Sequence, residues 1–522
     1  MGEPMEDKKY NATLRIDLRE DEYWWGGAVQ DGTFMPFGSE PYSRDLYGDA
    51  AYNQAAPLLL SNKGRLVWSE EPYRFSFDGR VLVIEGKEEN IKVEEGGSTL
   101  RDAYRLASQK YFPPAGRAPD LQFFTVPQYN TWMEMSYHPT QDKVIAYAEN
   151  ILSHGLPPGI LMIDDNWHED YGTLKFHAGR FPDPQGMVNR LHELGFRVLL
   201  WVCPFFSPDG EVYRDLKRRG YLLKNPDGKP VVREWWNGFS AVLDGTNPEA
   251  VSWFAGELDR LVETYGIDGF KLDAGDPQYY KPEDISYRRV TPNEQTEAWA
   301  RLGLRYAFNE YRACWKLAGQ PLVQRLSDKN HSWGNDGLAS LIPNGLAQGL
   351  IGYAFNCPDM VGGGQYEDLI RPDFKVDAEL FVRYAQCSAL FPMMQFSTAP
   401  WRVLDEAHLN LCIEAAALHC RMGDEIAALA RHAAETGEPI MRHMAYVFPE
   451  GGFEQITDQF MLGDDMLVAP VLLKGATTRT IAFPSGTWYG DDGSRVTGPC
   501  EIEVDAPLSR LPWYRREQRV SS

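Results

Sequence analysis

The stretch GFKLDAGD, from Gly269 to Asp276, places a short apolar run directly before two carboxylates. Such a run is typical of a buried strand, in which successive side chains point to opposite faces. Lys271 and Asp273 would therefore share one face of the strand, while Leu272 lies on the other. A lysine and a carboxylate that meet at the end of a strand could form a reactive site. Whether this stretch is functional therefore depends on the fold around it.

Similar apolar runs occur on both sides of this stretch and alternate with helical segments. Alternation of strands and helices implies parallel pairing of the strands. Eight such repeats over about 280 residues are the size of a (β/α)8 barrel. The strong candidates are LQFFTV (121–126), GILMID (159–164), RVLLWV (197–202), GFKLD (269–273), PLVQRL (321–326), LIGYAF (350–355) and FPMMQF (391–396), and the weaker HSWGND (331–336) would be the eighth.

The two ends of the chain show a different pattern. Short runs such as RVLVIEG (80–86) alternate apolar and polar residues, which is typical of antiparallel strands, and FPPAGRAPD (112–120) has the composition of a linker. A helical stretch near 404–436 precedes further β signals with turns. We therefore predict an α/β protein with an N-terminal β-sandwich domain (1–118), a catalytic (β/α)8 TIM barrel (119–436) and a small C-terminal β-domain (437–522).

Composition excludes several classes of function. The 522 residues include 74 acidic and 52 basic side chains, so a net charge of -22 repels nucleic acid. No apolar run is long enough to span a membrane, and the first residues lack the apolar core of a signal peptide, which indicates a cytoplasmic protein. Seven cysteines without CxxC pairs fit a reducing compartment.

Polar residues concentrate where the barrel strands end. In a barrel, side chains at the C-terminal ends of the strands point into the active-site mouth. A single Asp there could equally cap a loop or form an ion pair, but many on one rim indicate a site. The candidates are Asp164, Asp165, Trp201, Cys203, Lys271, Asp273 and Arg325, followed by Trp333, Asp336, Asp359, Gln395 and Trp401.

Carboxylates and tryptophans on one rim allow two kinds of chemistry. A hard metal ion would need several carboxylates on one centre, and no HxH or HExxH spacing supplies nitrogen ligands. Glycoside cleavage uses one carboxylate to attack the anomeric carbon and another to protonate the leaving oxygen, while aromatic faces stack on the sugar. We expect neither a metal nor a cofactor. For the tryptophans, packing in the core remains an alternative.

Three ordered motifs resemble those of glycoside hydrolase family 31. FKLDAGD (270–276), QRLSDKNHSWGND (324–336) and PDMVGGG (358–364) are similar, in that order, to its nucleophile, acid/base and following strand motifs. REWWNGFSAVLDGTNPEA (233–250) and MMQFSTAPWR (393–402) look especially like the branch of myogenesis-regulating glycosidases, which are α-galactosidases, and their bacterial relatives. Several ordered motifs over about 300 residues are far more specific than any one of them.

The resemblance implies a role for each matching position. It makes Asp273 the nucleophile of the K-x-D-x-G-E pattern and Asp336 the acid/base of the W-G-x-D pattern. The remaining positions would contact substrate: Asp164 and Asp165 as ligands of sugar hydroxyls, Arg325 and Asp359 near the acid/base, and Lys271, Trp201, Trp236 and Trp333 as pocket walls.

Two positions depart from the family pattern. Asp276 stands where the family usually has Glu, which should alter a supporting contact more than the chemistry. Pro358 precedes Asp359 where the α-glucosidase and α-xylosidase branches usually carry His, and proline has no donor to replace the imidazole. The same proline is found in the α-galactosidase-like branch.

The resemblance implies a retaining, exo-acting α-glycoside hydrolase, with α-galactosidase as the favoured activity, that acts by double displacement on a small oligosaccharide or glycoside. Another family 31 specificity such as α-glucosidase, a transglycosylase, and a sugar-binding protein without catalysis are the alternatives. The two carboxylates argue against the last of these. The sequence leaves the aglycone and a homo-oligomeric state open.

Overall fold

A computed structural model describes residues 9–371 and 373–517, and its centre is a parallel sheet of eight strands. Every strand pair in this sheet is parallel, as the alternating pattern predicts. In chain order, barrel strands 1 to 8 are Gln128–Asn130, Ile160–Ile163, Arg197–Val202, Gly269–Leu272, Phe308–Tyr311, Gln324–Arg325, Asn356–Cys357 and Gln395–Phe396. Their order in space is 7-6-5-4-3-2-1-8, and the backbone N–H of Val361, just after strand 7, donates to the carbonyl of Gln395 in strand 8. The TIM-barrel prediction is confirmed.

Three of the eight strand assignments made from sequence are wrong, and one barrel strand was missed. LIGYAF (350–355) covers the end of the helix Leu341–Leu350 and the turn after it, and barrel strand 7 begins only at Asn356. LQFFTV forms a single 3-10 turn, Leu121–Phe124, and barrel strand 1 begins only at Gln128. HSWGND (331–336) lies in a loop of bends and turns. Strand 5, Phe308–Tyr311, was missed because Asn309 and Glu310 interrupt its apolar pattern, although both are buried. Their polarity is tolerated since Asn309 bonds to backbone groups and Glu310 accepts a hydrogen bond from Gln395.

Helices cover the outside of the barrel strands. One of them, Pro248–Tyr265, begins after the capping side chain of Asn247 and ends at Gly266, whose φ of 73° suits glycine. Within the described residues, none of the helices has both the length and the apolar character needed to cross a membrane. The others around the barrel are Trp132–Met135, Gln141–Ser153, Pro184–Glu193, Glu211–Arg219, Pro292–Arg301, Leu341–Leu350, Tyr366–Ile370, Ala378–Ala389, Pro400–Val403 and Glu406–Thr436.

The N-terminal region forms two sheets followed by the helix Leu100–Tyr111. One sheet is antiparallel and contains Ala12–Asp17, Val81–Gly86, Arg74–Asp78 and Tyr42–Asp45. The other contains Trp24–Ala28, Gln54–Ser61, Arg65–Ser69 and Ile91–Glu95. At its edge, Gln54–Ser61 also pairs in parallel with Cys314–Trp315, a short strand that follows barrel strand 5. The N-terminal sheets are therefore hydrogen-bonded directly to the barrel.

The C-terminal region forms one sheet of six strands, as its turn-rich pattern predicts. The long hairpin Thr478–Gly490 and Arg495–Asp505 lies at one edge, and the other strands are Met441–Arg442, Phe460–Leu462, Met466–Val468 and Trp513–Arg516, with the short helix Met444–Val447 between the first two. The boundaries at residues 118 and 436 remain a prediction. The outermost ends of the first and last predicted domains lie outside the described residues.

Two small sheets project from the barrel beside its C-terminal rim. The first is the hairpin His168–Asp170 and Thr173–Phe176, which follows strand 2. The second follows strand 3 and contains Phe205–Phe206, Gly238–Val242 and Val232–Trp235. They bring side chains from outside the barrel to its mouth.

Gly269, the first residue of barrel strand 4, allows this strand to approach strand 5 closely. A Cβ built at Gly269 would lie 1.9 Å from the carbonyl oxygen of Phe308. Non-bonded heavy atoms never approach so closely. The carbonyl oxygen belongs to the backbone, so it cannot rotate away as the end of a flexible side chain could. The absence of a side chain at Gly269 thus fixes the spacing of the strand that carries Lys271 and Asp273.

We expect Gly269→Ala to lower the free energy of unfolding by about 1–3 kcal/mol, because the methyl group forces two core strands apart. The matched control is Gly256→Ala on the exposed face of Pro248–Tyr265, where a Cβ meets nothing within 4 Å. Replacing that helical glycine should raise stability by about 0.5–1 kcal/mol. Chemical denaturation of both variants measures the difference, and equal effects would contradict the proposed steric role.

Candidate active site

A cavity of about 840 Å³ opens at the C-terminal ends of the barrel strands. It is lined by six of the ten residues that the sequence nominates as a site: Asp164, Asp165, Trp201, Trp236, Lys271 and Asp273. The placement agrees with the rule that barrel enzymes build their sites on this face. The other four, Arg325, Trp333, Asp336 and Asp359, are not among its lining residues.

Asp273 is held by donors on both of its carboxylate oxygens. Trp201 Nε1 donates to Oδ2 at 2.9 Å, while Arg312 Nε at 3.0 Å and the backbone N–H of Ala274 at 2.7 Å donate to Oδ1. Burial by itself raises the pKa of Asp273, but the charges of Arg312 and Lys271 outweigh it and hold that pKa well below its usual range. Asp273 is therefore ionised and fixed in orientation.

Lys271 links the carboxylates of two barrel strands. Its Nζ lies 2.7 Å from Asp164 Oδ2 and 3.8 Å from Asp273 Oδ2. Burial favours the neutral amine, but Asp164 and then Asp273 attract the charged form more strongly and raise the pKa of Lys271. A charged lysine thus lies between the two carboxylates.

Asp165 has a different electrostatic environment from its neighbour Asp164. Burial, and then the negative charge of Asp164, raise the pKa of Asp165 to about 7. Its oxygens accept hydrogen bonds from Asn237 Nδ2 at 2.6 Å and from the Tyr171 hydroxyl at 3.1 Å. Both donors come from the small sheets beside the barrel or the turns that connect their strands. Asp165 therefore changes charge near neutral pH while Asp164 is paired with Lys271.

Arg325 and Asp359 are buried and are not among the residues that line the cavity. Arg325 is almost completely buried, and its guanidinium lies 2.6 Å from Asp359 Oδ1, 2.9 Å from Asp328 Oδ1 and 3.5 Å from Glu310. Asp359 also accepts hydrogen bonds from the backbone N–H groups of Lys329 and Gly364. The two residues form a buried support for the loop that follows barrel strand 6.

Asp336 and Trp333 belong to a loop whose polar groups bond elsewhere. Asp336 is exposed, and its two oxygens accept hydrogen bonds from Asn330 Nδ2 and Ser332 Oγ, both at 2.8 Å. These bonds within the loop lower the pKa of Asp336. Trp333 Nε1 donates to Asp377 at 3.1 Å. Asp336 and Trp333 thus hold contacts outside the set of residues that line the cavity, and their roles remain a prediction.

Three charged residues that line the cavity, Arg312, Asp328 and Glu367, were not predicted as site residues. Arg312 follows the missed strand 5 and binds Asp276 through both terminal nitrogens, at 2.9 and 2.6 Å, besides contacting Asp273. Asp328 follows Arg325 by three residues, and its side chain is 32% exposed toward the cavity. The sequence did carry a signal for Asp328, because it lies directly after a barrel strand within the quoted motif.

Aromatic side chains form much of the cavity wall. Rings of this kind stack on the apolar faces of sugars and bury a large area. Trp236 is 44% exposed and packs against the guanidinium of Arg312, at 5.4 Å. The others are Tyr52, Trp132, Tyr137, Trp201, Tyr279 and Tyr366. Across residues 9–371 and 373–517, no group of three or more His, Cys, Asp or Glu side chains is arranged to hold a metal ion.

The amino-acid sequence matches two family models in the order expected from the fold. Residues 126–424 match the glycosyl hydrolases family 31 TIM-barrel domain, and residues 437–520 match the glycosyl hydrolase family 31 C-terminal domain. The first match covers more than half of the chain.

Curated relatives share this family but differ in activity. The chain is 34% identical over 424 residues to the mouse myogenesis-regulating glycosidase, covering 79% of this chain and 59% of that protein. It is 27% identical over 493 residues to the alpha-xylosidase of Emericella nidulans, covering 87% of this chain and 60% of the relative. The Escherichia coli sulfoquinovosidase is 25% identical over 366 residues, covering 66% of this chain and 53% of that protein. The chain thus spans about 60% or less of the length of these relatives.

Solved structures show the same fold. The Flavobacterium johnsoniae GH31 dextranase complexed with glucose superposes with a TM-score of 0.85 at 20% identity, covering 98% of this chain and 68% of that one. At this identity the likeness concerns the fold alone. Together with the two matching family models, the barrel with its flanking sheets and its carboxylate-lined mouth shows that the chain belongs to glycosyl hydrolase family 31.

Proposed function

We propose that this protein is a retaining exo-acting α-glycosidase whose substrates are α-galactosides. The observation that carries the proposal is the buried Asp273, kept ionised by Arg312 and Lys271 in the cavity at the mouth of a family 31 barrel. A retaining glycosidase needs a charged nucleophile and a separate group that gives and takes a proton. Asp273 is the candidate for the first role, and a carboxylate of the loop after barrel strand 6 is the candidate for the second.

In the first step, Asp273 attacks the anomeric carbon and forms a β-glycosyl-enzyme. The side chains of Trp201 and Arg312 hold its two oxygens, so that one rotamer is kept ready for the attack. The positive charges of Lys271 and Arg312 keep Asp273 ionised until it reacts. They also stabilise the carboxylate when it leaves in the second step, when water releases the sugar.

For the acid/base we propose Asp336, the carboxylate of the W-G-x-D pattern. Asp336 would protonate the leaving oxygen in the first step and then accept a proton from the attacking water. Its oxygens accept hydrogen bonds from Asn330 and Ser332 of its own loop, and these would be exchanged for contacts to the substrate. Asp328, which lines the cavity and is held by Arg325 through Oδ1, is the second candidate.

The preference for galactose rests on Pro358 and on the carboxylates of barrel strand 2. Galactose differs from glucose in its axial O4, so its hydrogen-bond partners must lie on the other side of the ring. Asp164 and Asp165 are the candidates for that contact because both line the cavity. Pro358 supports the preference for galactose, since the same proline marks the α-galactosidase-like branch that the sequence resembles.

The charges of the cavity favour a neutral sugar over a sulfonated one. Its two basic lining residues, Lys271 and Arg312, are both paired with carboxylates. Asp164, Asp165, Asp273, Asp328 and Glu367 also line it, so carboxyl groups outnumber basic groups. An anionic substituent would therefore meet repulsion and no unpaired cation among the described lining residues.

The first test compares Asp336→Asn with Asp328→Asn on two leaving groups. Asp336→Asn should lower kcat/KM for a phenyl glycoside by roughly 10²–10⁴-fold, because this poor leaving group needs protonation. Asp336→Asn should lower kcat/KM for a dinitrophenyl glycoside far less. Asp328→Asn should change kcat/KM for both glycosides by a similar factor. If the large, leaving-group-dependent loss follows Asp328→Asn instead, Asp328 is the acid/base.

The second test compares the matching aryl α-galactoside and α-glucoside. A site that hydrogen-bonds an axial hydroxyl leaves polar groups unpaired when glucose binds, so kcat/KM should favour galactose by a large factor, up to about 10⁴. The aryl α-sulfoquinovoside serves as the charged comparison and should be turned over more slowly than the galactoside. A kcat/KM for the glucoside equal to or above that for the galactoside would exclude the galactose assignment but leave the retaining mechanism intact.

The third test uses the titration of Asp165. Its pKa is raised to about 7 in the folded protein, against about 4 in an unfolded chain, so the stability due to the protonated form is lost as pH rises from about 4 through 7. Asp165→Asn cannot ionise and keeps that stability. The melting temperature of Asp165→Asn relative to the wild type should therefore rise from pH 5 to pH 8. The exposed substitution Asp227→Asn is the control, and a constant difference for Asp165→Asn would contradict the burial argument.

A further inference from the structure

His331 lies in the loop after barrel strand 6, between the two residues that hold the carboxylate of Asp336. Asn330 Nδ2 and Ser332 Oγ each donate to one oxygen of that carboxylate. The backbone N–H of Asn330 also donates to the carbonyl of Asp336 at 2.9 Å. The position of Asp336 therefore depends on where the backbone around His331 lies.

Three hydrogen bonds fix His331 to the part of the chain that follows barrel strand 7. Its backbone N–H donates to Asp368 Oδ2 at 2.6 Å, and its ring Nδ1 lies 2.7 Å from the carbonyl oxygen of Gly362. The backbone N–H of Asp377, directly before the helix Ala378–Ala389, donates to ring Nε2 at 2.8 Å. The two ring nitrogens thus join the loop to the backbone at two separate places.

These partners are compatible with one protonation state of the ring. Nδ1 must carry a proton to bond a carbonyl oxygen, and Nε2 must be unprotonated to accept from an N–H group. Burial lowers the pKa of His331, and the carboxylates of Asp377 and Asp368, which favour the charged ring, do not reverse this shift; the charge of Arg371 adds to it. The neutral ring therefore acts as a donor on one side and an acceptor on the other.

Asp377 holds the same loop at a second residue. Its Oδ2 accepts hydrogen bonds from Trp333 Nε1 at 3.1 Å and from Lys474 Nζ at 2.7 Å. Its Oδ1 accepts from the backbone N–H of Leu380 and caps the helix Ala378–Ala389. The residues on both sides of Ser332 are therefore bonded to one anchored position.

The loop also packs directly against the glycines that follow barrel strand 7. A Cβ built at Gly363 would lie 2.5 Å from the carbonyl oxygen of Lys329, and the backbone N–H of Gln365 donates to the same oxygen at 3.1 Å. Gln365 lines the cavity together with Tyr366 and Glu367. The segment that holds His331 is therefore also part of the cavity wall.

We infer that His331 is a positioning residue for Asp336, because its ring ties the loop that carries Asp336 to the backbone of Gly362 and Asp377 beside the cavity. This inference rests on the proposed function, since it uses the acid/base role given there to Asp336. Loss of the ring bonds should leave Asp273 intact and slow only the steps that need proton transfer. The effect should therefore depend on the leaving group, which a loss of folded protein would not produce.

The experiment replaces His331 by leucine, which keeps an apolar side chain but forms neither ring bond. His331→Gln supplies an amide oxygen that can accept from the Asp377 N–H and is the conservative variant. His432→Leu, at an exposed position of the helix Glu406–Thr436, is the matched control. Active sites are counted by trapping the glycosyl-enzyme with a slowly hydrolysed 5-fluoro-glycosyl fluoride, and rates are expressed per trapped site.

His331→Leu should lower kcat/KM per site for a phenyl glycoside by about tenfold or more, whereas a dinitrophenyl glycoside should lose less than about threefold, because only the first needs the acid. His331→Gln should show a smaller loss with the same dependence on the leaving group. In the Asp336→Asn background, His331→Leu should lower the phenyl glycoside rate by less than about a further threefold, because the acid that it positions is already absent. The control should match the wild type.

Unchanged rates per site in His331→Leu, equal losses on both leaving groups, or an undiminished further loss in the Asp336→Asn background would overturn the inference. His331→Gln decides the question in the same way even if His331→Leu does not accumulate as folded protein. A wild-type enzyme that traps no sugar on Asp273, or an Asp336→Asn variant whose losses do not depend on the leaving group, would instead refute the proposed function, and the inference with it.

Discussion

The cavity depends on one chain of buried charges that alternate in sign: Asp164, Lys271, Asp273, Arg312 and Asp276. Successive members approach within 2.7, 3.8, 3.0 and 2.6 Å. Charges in a protein interior are tolerated only when they are paired and hydrogen-bonded, so each member requires its neighbours. Removing any one would leave a buried partner uncompensated, at a penalty of about 3–5 kcal/mol. The same pairing that lets the charges be buried keeps Asp273, the proposed nucleophile, ionised.

Parallel strands explain how these charges come together from distant parts of the chain. Strands 3, 4 and 5 are in register, with Trp201 beside Lys271 and Lys271 beside Glu310. Alternation then turns every second side chain of each strand toward the barrel axis. Gly269 permits the close approach on which this register depends. Asn53 and Gln54 of the N-terminal region donate side-chain hydrogen bonds to the backbone carbonyls of Arg312 and Arg325. Two regions of the chain therefore build the site together.

Apolar periodicity was enough to predict the parallel barrel and the strand carrying Lys271 and Asp273, because those strands bury apolar side chains on one or both faces. It failed at Phe308–Tyr311, where Glu310 is buried through pairing rather than through hydrophobicity, and Arg312 was missed with that strand. Asp336 was nominated from its resemblance to the W-G-x-D pattern, which cannot show the hydrogen bonds that its carboxylate accepts within its own loop. Nor could the pattern show that Asp328, in the same motif, lines the cavity.

The side chain of Asp276 bears on the proposed preference for a neutral substrate. Where similar proteins usually have Glu, Asp276 binds Arg312 through both terminal nitrogens. Arg312 Nε donates to Asp273, and NH1 also donates to the Tyr52 carbonyl, so four contacts occupy the guanidinium. A guanidinium with four contacts for its five N–H donors has little capacity left to bind a sulfonate or carboxylate of a sugar. Arg312 therefore pairs with the protein's own carboxylates, which is the arrangement that the proposed neutral substrate requires.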